Sequence, residues 1–124
     1  MAVSVVSAPD VRYPDADDGF SPGEAYPEYR LGHLAATPNP VYEMVRKAFA
    51  QIGLDATRFG TPAWNPLGSF IAPGSSVFVL CNFVYHRRFQ ESPHGFAAKC
   101  IHGSVLRALC DYALLAAGPA GRIR

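Results

Sequence analysis

The sequence has almost no net charge, little lysine and no long apolar run. The chain has eleven Lys and Arg residues and ten Asp and Glu residues, which gives a formal net charge of +1. Only two of the eleven basic residues are lysines. Such a balance provides no field to gather polyanions such as nucleic acids or anionic lipids. No apolar run approaches the roughly 18 residues that a membrane span requires. We therefore expect neither nucleic acid nor membrane among the partners.

Cysteine is scarce, and it lacks the spacing of a disulfide framework or a metal knuckle. The three cysteines are an odd number without a CxxC pair, which favours reduced thiols. Residues 1–9 lack the basic segment that opens a signal peptide. These two absences predict a cytoplasmic protein.

The remaining composition is that of a small globular domain with much irregular chain. Its 124 residues are 49% apolar and 17% charged, which suits one domain with a buried core. Eleven glycines and eleven prolines predict long loops. The Gly-rich segment 118–121 follows a predicted helix instead of joining a strand to one, so it is no phosphate-binding fingerprint.

Two segments have the periodicity of helices. Asn39 and Pro40 supply a cap and a first helical residue, and apolar residues then recur at intervals of three and four until Gly53, which predicts a helix over about 40–52. A second such pattern predicts a helix over about 104–117, ended by Gly118.

Strands are predicted between the helices and at both ends. Residues 2–7 include three β-branched valines and predict a short first strand. A continuous apolar run predicts a central strand over about 76–84 with both faces covered. Residues 121–124 resemble the start of a third strand, and residues 10–38 form a long loop.

This alternation predicts an α/β fold. A small parallel sheet would be built from about two βα units with long Pro/Gly-rich loops. We expect residues 1–124 to be a single α/β domain or the N-terminal fragment of one, an incomplete part of a larger α/β domain. The unpaired strands of so small a sheet would favour association with another chain.

An anion site is predicted at the carboxyl end of this sheet. Ligands of open parallel sheets bind there, and the start of the second helix offers backbone N–H groups to phosphate or carboxylate. The candidate residues for this anionic small-molecule site are Asn82, His86, Arg87, Arg88, His102, Gly103 and Ser104. The alternative is that Ser104 only caps the helix and that the two arginines belong to a solvated loop.

The same region concentrates soft metal ligands. A Cys/His site for zinc or iron is less favoured than the anion site, because the spacing fits no known knuckle or ferredoxin segment. Its candidate ligands are Cys81, His86, His94, Cys100 and His102. Elsewhere, Glu28 lies between Tyr26 and Tyr29 and would serve as a general base if desolvated.

Several motifs, taken in order, resemble the opening of the proteins grouped as domain-of-unknown-function family 362. They are Phe20-Ser21-Pro22-Gly23-Glu24-Ala25-Tyr26-Pro27-Glu28-Tyr29, Pro38-Asn39-Pro40-Val41-Tyr42, Trp64-Asn65-Pro66-Leu67-Gly68, Pro73-Gly74, Asn82-Phe83-Val84 and His102-Gly103-Ser104-Val105. The resemblance implies the N-terminal portion of a chain two or more times longer.

Two details limit what this resemblance implies about chemistry. Some family members carry ferredoxin-type iron–sulfur segments, but the cysteines present here do not have that spacing, and no cofactor is otherwise indicated. Leu80-Cys81-Asn82 replaces the usual Lys-Pro-Asn, which removes a lysine that would help to bind an anion.

Three functions remain open on the sequence. The chain is part of an enzyme-like domain for an anionic metabolite, or it is a non-catalytic interaction module, or it is a truncated inactive fragment. The interaction module would use the aromatic loop 20–29 and the open sheet edge to bind a partner chain or a missing C-terminal segment that completes the sheet.

Overall fold

The computed structural model describes residues 2–84, 86 and 88–124, apart from the side chains at 94 and 96. Three α-helices and two short strands lie in this part of the chain. Two single-turn 3-10 helices add to them. In chain order the α-helices and strands are α1 (Pro40–Gln51), β1 (Ser76–Val77), α2 (Pro93–Ala97), α3 (Gly103–Ala117) and β2 (Arg122–Ile123), and the 3-10 turns are Ala16–Asp18 and Ala56–Arg58.

Helix α1 lies over the span that the periodicity predicts. The Asn39 side chain caps it, since its Oδ1 accepts a hydrogen bond from the Tyr42 N–H at 3.1 Å, and Pro40 occupies the first turn. Past its end, Gly53 adopts a φ of 84°, a left-handed conformation that suits glycine and turns the chain away.

Helix α3 also coincides with its predicted span, but its cap differs from the prediction. The capping residue is His102, whose Nδ1 accepts from the Ser104 N–H at 3.2 Å and lies 2.8 Å from the Ser104 Oγ. Ser104, predicted as the alternative cap, lies inside the first turn and is fully buried.

The two strands form a parallel sheet, so the chain is a small mixed α/β fold. Ser76 pairs with Arg122 and Val77 with Ile123, and the Val79 N–H donates to the Arg124 carbonyl at 2.8 Å. Because α3 connects two parallel strands, β1, α3 and β2 make one βαβ unit. The strand expected at 121–124 is present as β2.

Two strand predictions are wrong. Residues 2–7 contain no strand, and the strand predicted over 76–84 is ordered as β1 for two residues only. Phe78 and Leu80 are 75% and 86% exposed, so this strand is not covered on both faces. A strand requires a neighbour to pair with, and among the described residues β1 has β2 alone.

The core lies between the long loop and the helices, away from most of the sheet. Its buried members are Tyr26, Tyr42, Trp64, Ala108 and Tyr112. Trp64 is buried edge-on against Tyr112 with ring centroids 5.5 Å apart. Its indole N–H donates to the Leu54 carbonyl at 2.9 Å, which satisfies the polar atom of a large apolar side chain.

The helices are short in relation to a bilayer. In the part of the chain that the structure describes, none combines the length and apolar character needed to cross a membrane.

Candidate functional site

The predicted anion site begins at a junction of two chain segments. The Ile101 N–H donates to the Asn82 carbonyl at 3.1 Å, and Phe83 forms an antiparallel bridge with Cys100. This junction places the Asn82 backbone beside Ile101, the residue before His102. The Asn82 residue is exposed.

Two of the predicted basic residues, His86 and Arg88, are exposed and lie near the carboxylate of Glu91. The His86 carbonyl accepts from Lys99 Nζ at 3.3 Å, and the Arg88 N–H donates to Glu91 Oε2 at 3.1 Å. Glu91 also forms an ion pair of 2.5 Å with Lys99. A bound anion would have to compete with this carboxylate for the local positive charge. Arg87 lies outside the described residues.

The start of α3 is covered by side chains instead of open to a ligand. The Tyr13 ring stacks on His102 with centroids 4.0 Å apart, and Phe20 packs edge-on against the same ring. A Cβ at Gly103 would come within 2.5 Å of Phe20, so glycine is needed for this close packing. His102 and Gly103 therefore belong to a packed cap around the buried Ser104, and the cap fills the place expected for an anion.

The metal ligands of the prediction do not come together where the structure can show them. Among the described residues no three His, Cys, Asp or Glu side chains are placed to hold a metal ion. The side chain of His94 is outside this description. Cys81, Cys100 and Cys110 are half-buried free thiols, and burial raises the pKa of Cys110, with Asp111 and Cys81 adding to the effect.

Two buried carboxylates, Glu28 and Asp111, each form an ion pair with an arginine. In the first, Glu28 receives hydrogen bonds from Arg46 Nε at 2.6 Å and from the Tyr112 hydroxyl at 2.9 Å, both at Oε1. Arg46 Nη2 adds a longer bond of 3.3 Å to Oε2. Glu28 is thus desolvated, as its proposed role as a base required, but it is held as the partner of a guanidinium.

Aromatic rings surround the Arg46 guanidinium. Its Cζ lies 4.7 Å from the ring centroid of Tyr26, 4.6 Å from that of Phe59 and 5.3 Å from that of Trp64. Such contacts stabilise a cation removed from water. Burial opposes the charged form, but the hydrogen bonds and charge of Glu28 outweigh it and raise the pKa of Arg46.

The second pair joins Asp111 and Arg107 within α3. Arg107 Nε lies 2.9 Å from both carboxylate oxygens, and the Tyr42 hydroxyl donates to Oδ2 at 3.1 Å. Arg107 also donates to the Gly19 carbonyl at 3.0 Å, which ties the long loop to α3. Burial raises the pKa of Asp111, while Arg107 and Tyr42 act in the opposite direction.

Both carboxylates border one cavity of about 330 Å³, which we call the carboxylate cavity. Its walls combine polar groups from the long loop, α1 and α3 with apolar side chains near the end of α3. The lining residues are Glu28, Tyr29, Arg30, Leu31, Tyr42, Asp111, Tyr112, Leu114, Leu115, Gly118 and Pro119. Sequence reasoning found Glu28 and Tyr29 but missed Arg46 and Asp111. The sequence did offer a signal for these two residues, since Arg46 in α1 and Asp111 in α3 are charged residues on the side of the helix that is turned towards the interior.

The sheet presents a second unusual surface. Burial alternates along β1 and β2, so that Val77, Val79 and Ile123 are half-buried while their neighbours are exposed. Helix α3 contacts both strands, and it covers this half-buried face. The opposite face, which we call the outer sheet face, consists of Ser76, Phe78, Leu80, Arg122 and Arg124.

Comparison with models of known families, with curated proteins and with solved structures gives no match to this chain. The resemblance to family 362 therefore stays a prediction from its motifs.

Proposed function

We propose that this chain is an interaction module, part of a larger α/β arrangement, whose outer sheet face packs against an acidic amphipathic helix of a partner chain. The observation that supports this most is the exposure of Phe78 and Leu80, which directly follow β1 in a parallel sheet whose other face is covered by α3. Parallel sheets are normally covered on both faces. A helix is the element that covers a face of such a sheet.

Burying the outer sheet face would stabilise a complex. Full burial of a Phe or Leu side chain contributes roughly 1.5–3 kcal/mol each. Phe83 and Phe89, which follow in the chain, are also largely exposed. A stable interface needs roughly 1,000 Å² or more in total. The proposed helix would therefore have to bury more than the side chains of Phe78 and Leu80.

The charge of the outer sheet face indicates the chemistry of the partner. Arg122 lies on β2 and pairs with Ser76 of β1, and Arg124 directly follows β2 on the same exposed side. Acidic residues flanking an apolar stripe would complement the two arginines, whereas basic residues would be repelled. The partner we propose is therefore apolar along its contact line and acidic at its edge.

The other predicted functions have less support. The aromatic loop 20–29 contributes Ser21, Pro22, Tyr26 and Glu28 to the interior, so it is not a free docking surface. The anionic-ligand hypothesis needs access to the start of α3, where Ser104 is buried and His102 caps the helix. An interaction through the sheet requires no rearrangement of either region.

The proposal is tested with two designed helical peptides that share one apolar stripe and carry either glutamate or lysine beside it. We expect the acidic peptide to bind the full chain at least about tenfold more tightly, with affinity falling as salt is added. Amide NMR shifts should be largest at residues 76–80 and 122–124. Exchanging both arginines for glutamate, Arg122→Glu with Arg124→Glu, should reverse the preference.

Matched serine variants distinguish specific binding at the outer sheet face from non-specific hydrophobic binding. Phe78→Ser should weaken binding of the acidic peptide about tenfold or more, whereas Phe70→Ser, which changes another largely exposed phenylalanine, should leave it unchanged. Equal binding of both peptides, or equal effects of the two variants, would exclude the outer sheet face as the specific docking site.

A further inference from the structure

We propose that the carboxylate cavity binds a small neutral ligand that donates a hydrogen bond from an apolar body, namely a phenol-type aromatic alcohol. The lining of the cavity combines the carboxylates of Glu28 and Asp111 with the apolar side chains of Leu31, Leu114 and Leu115. This proposal concerns a region other than the outer sheet face, and it does not depend on the interaction proposed there.

The size and walls of the cavity suit a small molecule. Its volume of about 330 Å³ falls within the range of ligand pockets, which are mostly apolar with a few polar groups that fix orientation. Tyr29, Tyr42 and Tyr112 all line it, so a flat ring would meet aromatic neighbours. These features favour an aromatic body over a flexible chain.

The direction of the existing hydrogen bonds defines the polar group of the ligand. The Tyr112 hydroxyl donates to Glu28, the Tyr42 hydroxyl to Asp111 and the Tyr29 hydroxyl to the His33 carbonyl. All three tyrosine protons are therefore committed. Carboxylate and hydroxyl oxygens accept more than one hydrogen bond each, so the free capacity of these two carboxylates and three tyrosines is acceptor capacity. A ligand that donates a hydrogen bond fits them, and one that only accepts finds no free proton on any of the five.

The charges around the cavity favour a neutral ligand. Each carboxylate already has its own guanidinium, since Arg46 pairs with Glu28 and Arg107 with Asp111. Arg30 adds a further positive charge to the lining. Because each carboxylate is already neutralised by its own guanidinium, an ammonium group would gain little attraction from it, and an anion would lie beside two carboxylates. A hydroxyl donor avoids both costs.

The test is a titration of the full chain with four ring compounds of nearly equal size. Phenol donates a hydrogen bond, toluene carries a methyl group in place of the hydroxyl, anisole only accepts, and benzylamine is a cation at neutral pH. We expect phenol to bind at least about tenfold more tightly than the other three, because one hydrogen bond to a charged acceptor is at stake. Amide NMR shifts should be largest at Leu31, Leu114 and Leu115.

Two tryptophan variants locate the binding. Leu31 and Leu34 are 44% and 40% exposed, so both positions accept a larger side chain, but only Leu31 lines the cavity. Leu31→Trp should weaken phenol binding about tenfold or more, and Leu34→Trp should not. Toluene binding as tightly as phenol, tighter binding of benzylamine, or equal effects of the two variants would each overturn the proposal.

Discussion

Arg46 Nε lies 2.6 Å from Glu28 Oε1, and this ion pair joins α1 to the long loop in the protein interior. Their side chains are only 12% and 1% exposed. The loop segment therefore has a fixed place against α1, although residues 10–38 contain no helix or strand beyond one 3-10 turn. The pair also positions Glu28 at the edge of the carboxylate cavity.

Removing one member of this pair should destabilise the fold strongly. Glu28→Ala leaves a buried guanidinium without its carboxylate, and we expect a loss of about 3–5 kcal/mol in the free energy of unfolding. Glu43→Ala breaks the exposed pair with Lys47 on the same helix and should cost less than about 1 kcal/mol. Chemical denaturation of the two variants measures the difference, and similar losses would show that Glu28 and Arg46 contribute no more than a surface pair.

Asn39 should prove more than a helix cap. Besides capping α1, its Nδ2 donates at 2.9 Å to the carbonyls of Phe20 and Ser21. Asn39→Asp keeps the capping acceptor but loses both donor bonds, whereas Asn39→Ala loses all three. We expect each variant to unfold more easily, by about 1–3 kcal/mol for aspartate and about 1 kcal/mol more for alanine. Thermal unfolding measures these losses, and an Asn39→Asp variant as stable as the native chain would contradict this interpretation.

His102 should be replaceable by another capping residue. His102→Ala removes the acceptor of the Ser104 N–H and the ring stacked on Tyr13, while His102→Asn restores the acceptor alone. We expect alanine to lower the free energy of unfolding by about 1–2 kcal/mol and asparagine to recover about half of that loss. Hydrogen exchange of the first turn of α3 measures the cap directly. Equal protection of these amides from exchange in the alanine and asparagine variants would show that the bond from the Ser104 N–H to the capping side chain contributes little.

The buried tyrosines should limit stability at alkaline pH. Burial raises the pKa of Tyr26, Tyr42 and Tyr112, and nearby carboxylates add to the effect. Because the folded pKa lies above the unfolded value of about 10, the stabilisation is fully present below that pH and is lost as pH rises above it. Tyrosinate absorbance from these three residues should therefore appear together with loss of helical circular dichroism.

A phenylalanine variant gives the control for the alkaline transition. Tyr42→Phe removes one ionisable hydroxyl and should make the fall in stability above about pH 10 less steep, although the lost bond to Asp111 lowers stability at neutral pH. Ionisation of all three tyrosines in a chain that keeps its helices would contradict the structural assignment.

The sequence alone determined the elements that depend on local interactions. Helix α1 could be placed from its Asn39 cap, the spacing of its apolar residues and Gly53, and α3 from its spacing and Gly118, because caps and helical periodicity act over a few residues. The parallel character of the sheet followed from the order of helices and strands. Glu28 stood out as a carboxylate between two tyrosines.

Tertiary structure decided what depends on distant partners. The valine-rich residues 2–7 and the apolar run after Val77 have strand propensity, but a strand forms only where a neighbour pairs with it. The chain around β2 pairs only with the start of that run. The partners of Glu28 lie 18 and 84 residues away along the chain, so no local pattern revealed them. The carboxylate cavity and the outer sheet face are likewise products of packing between distant segments.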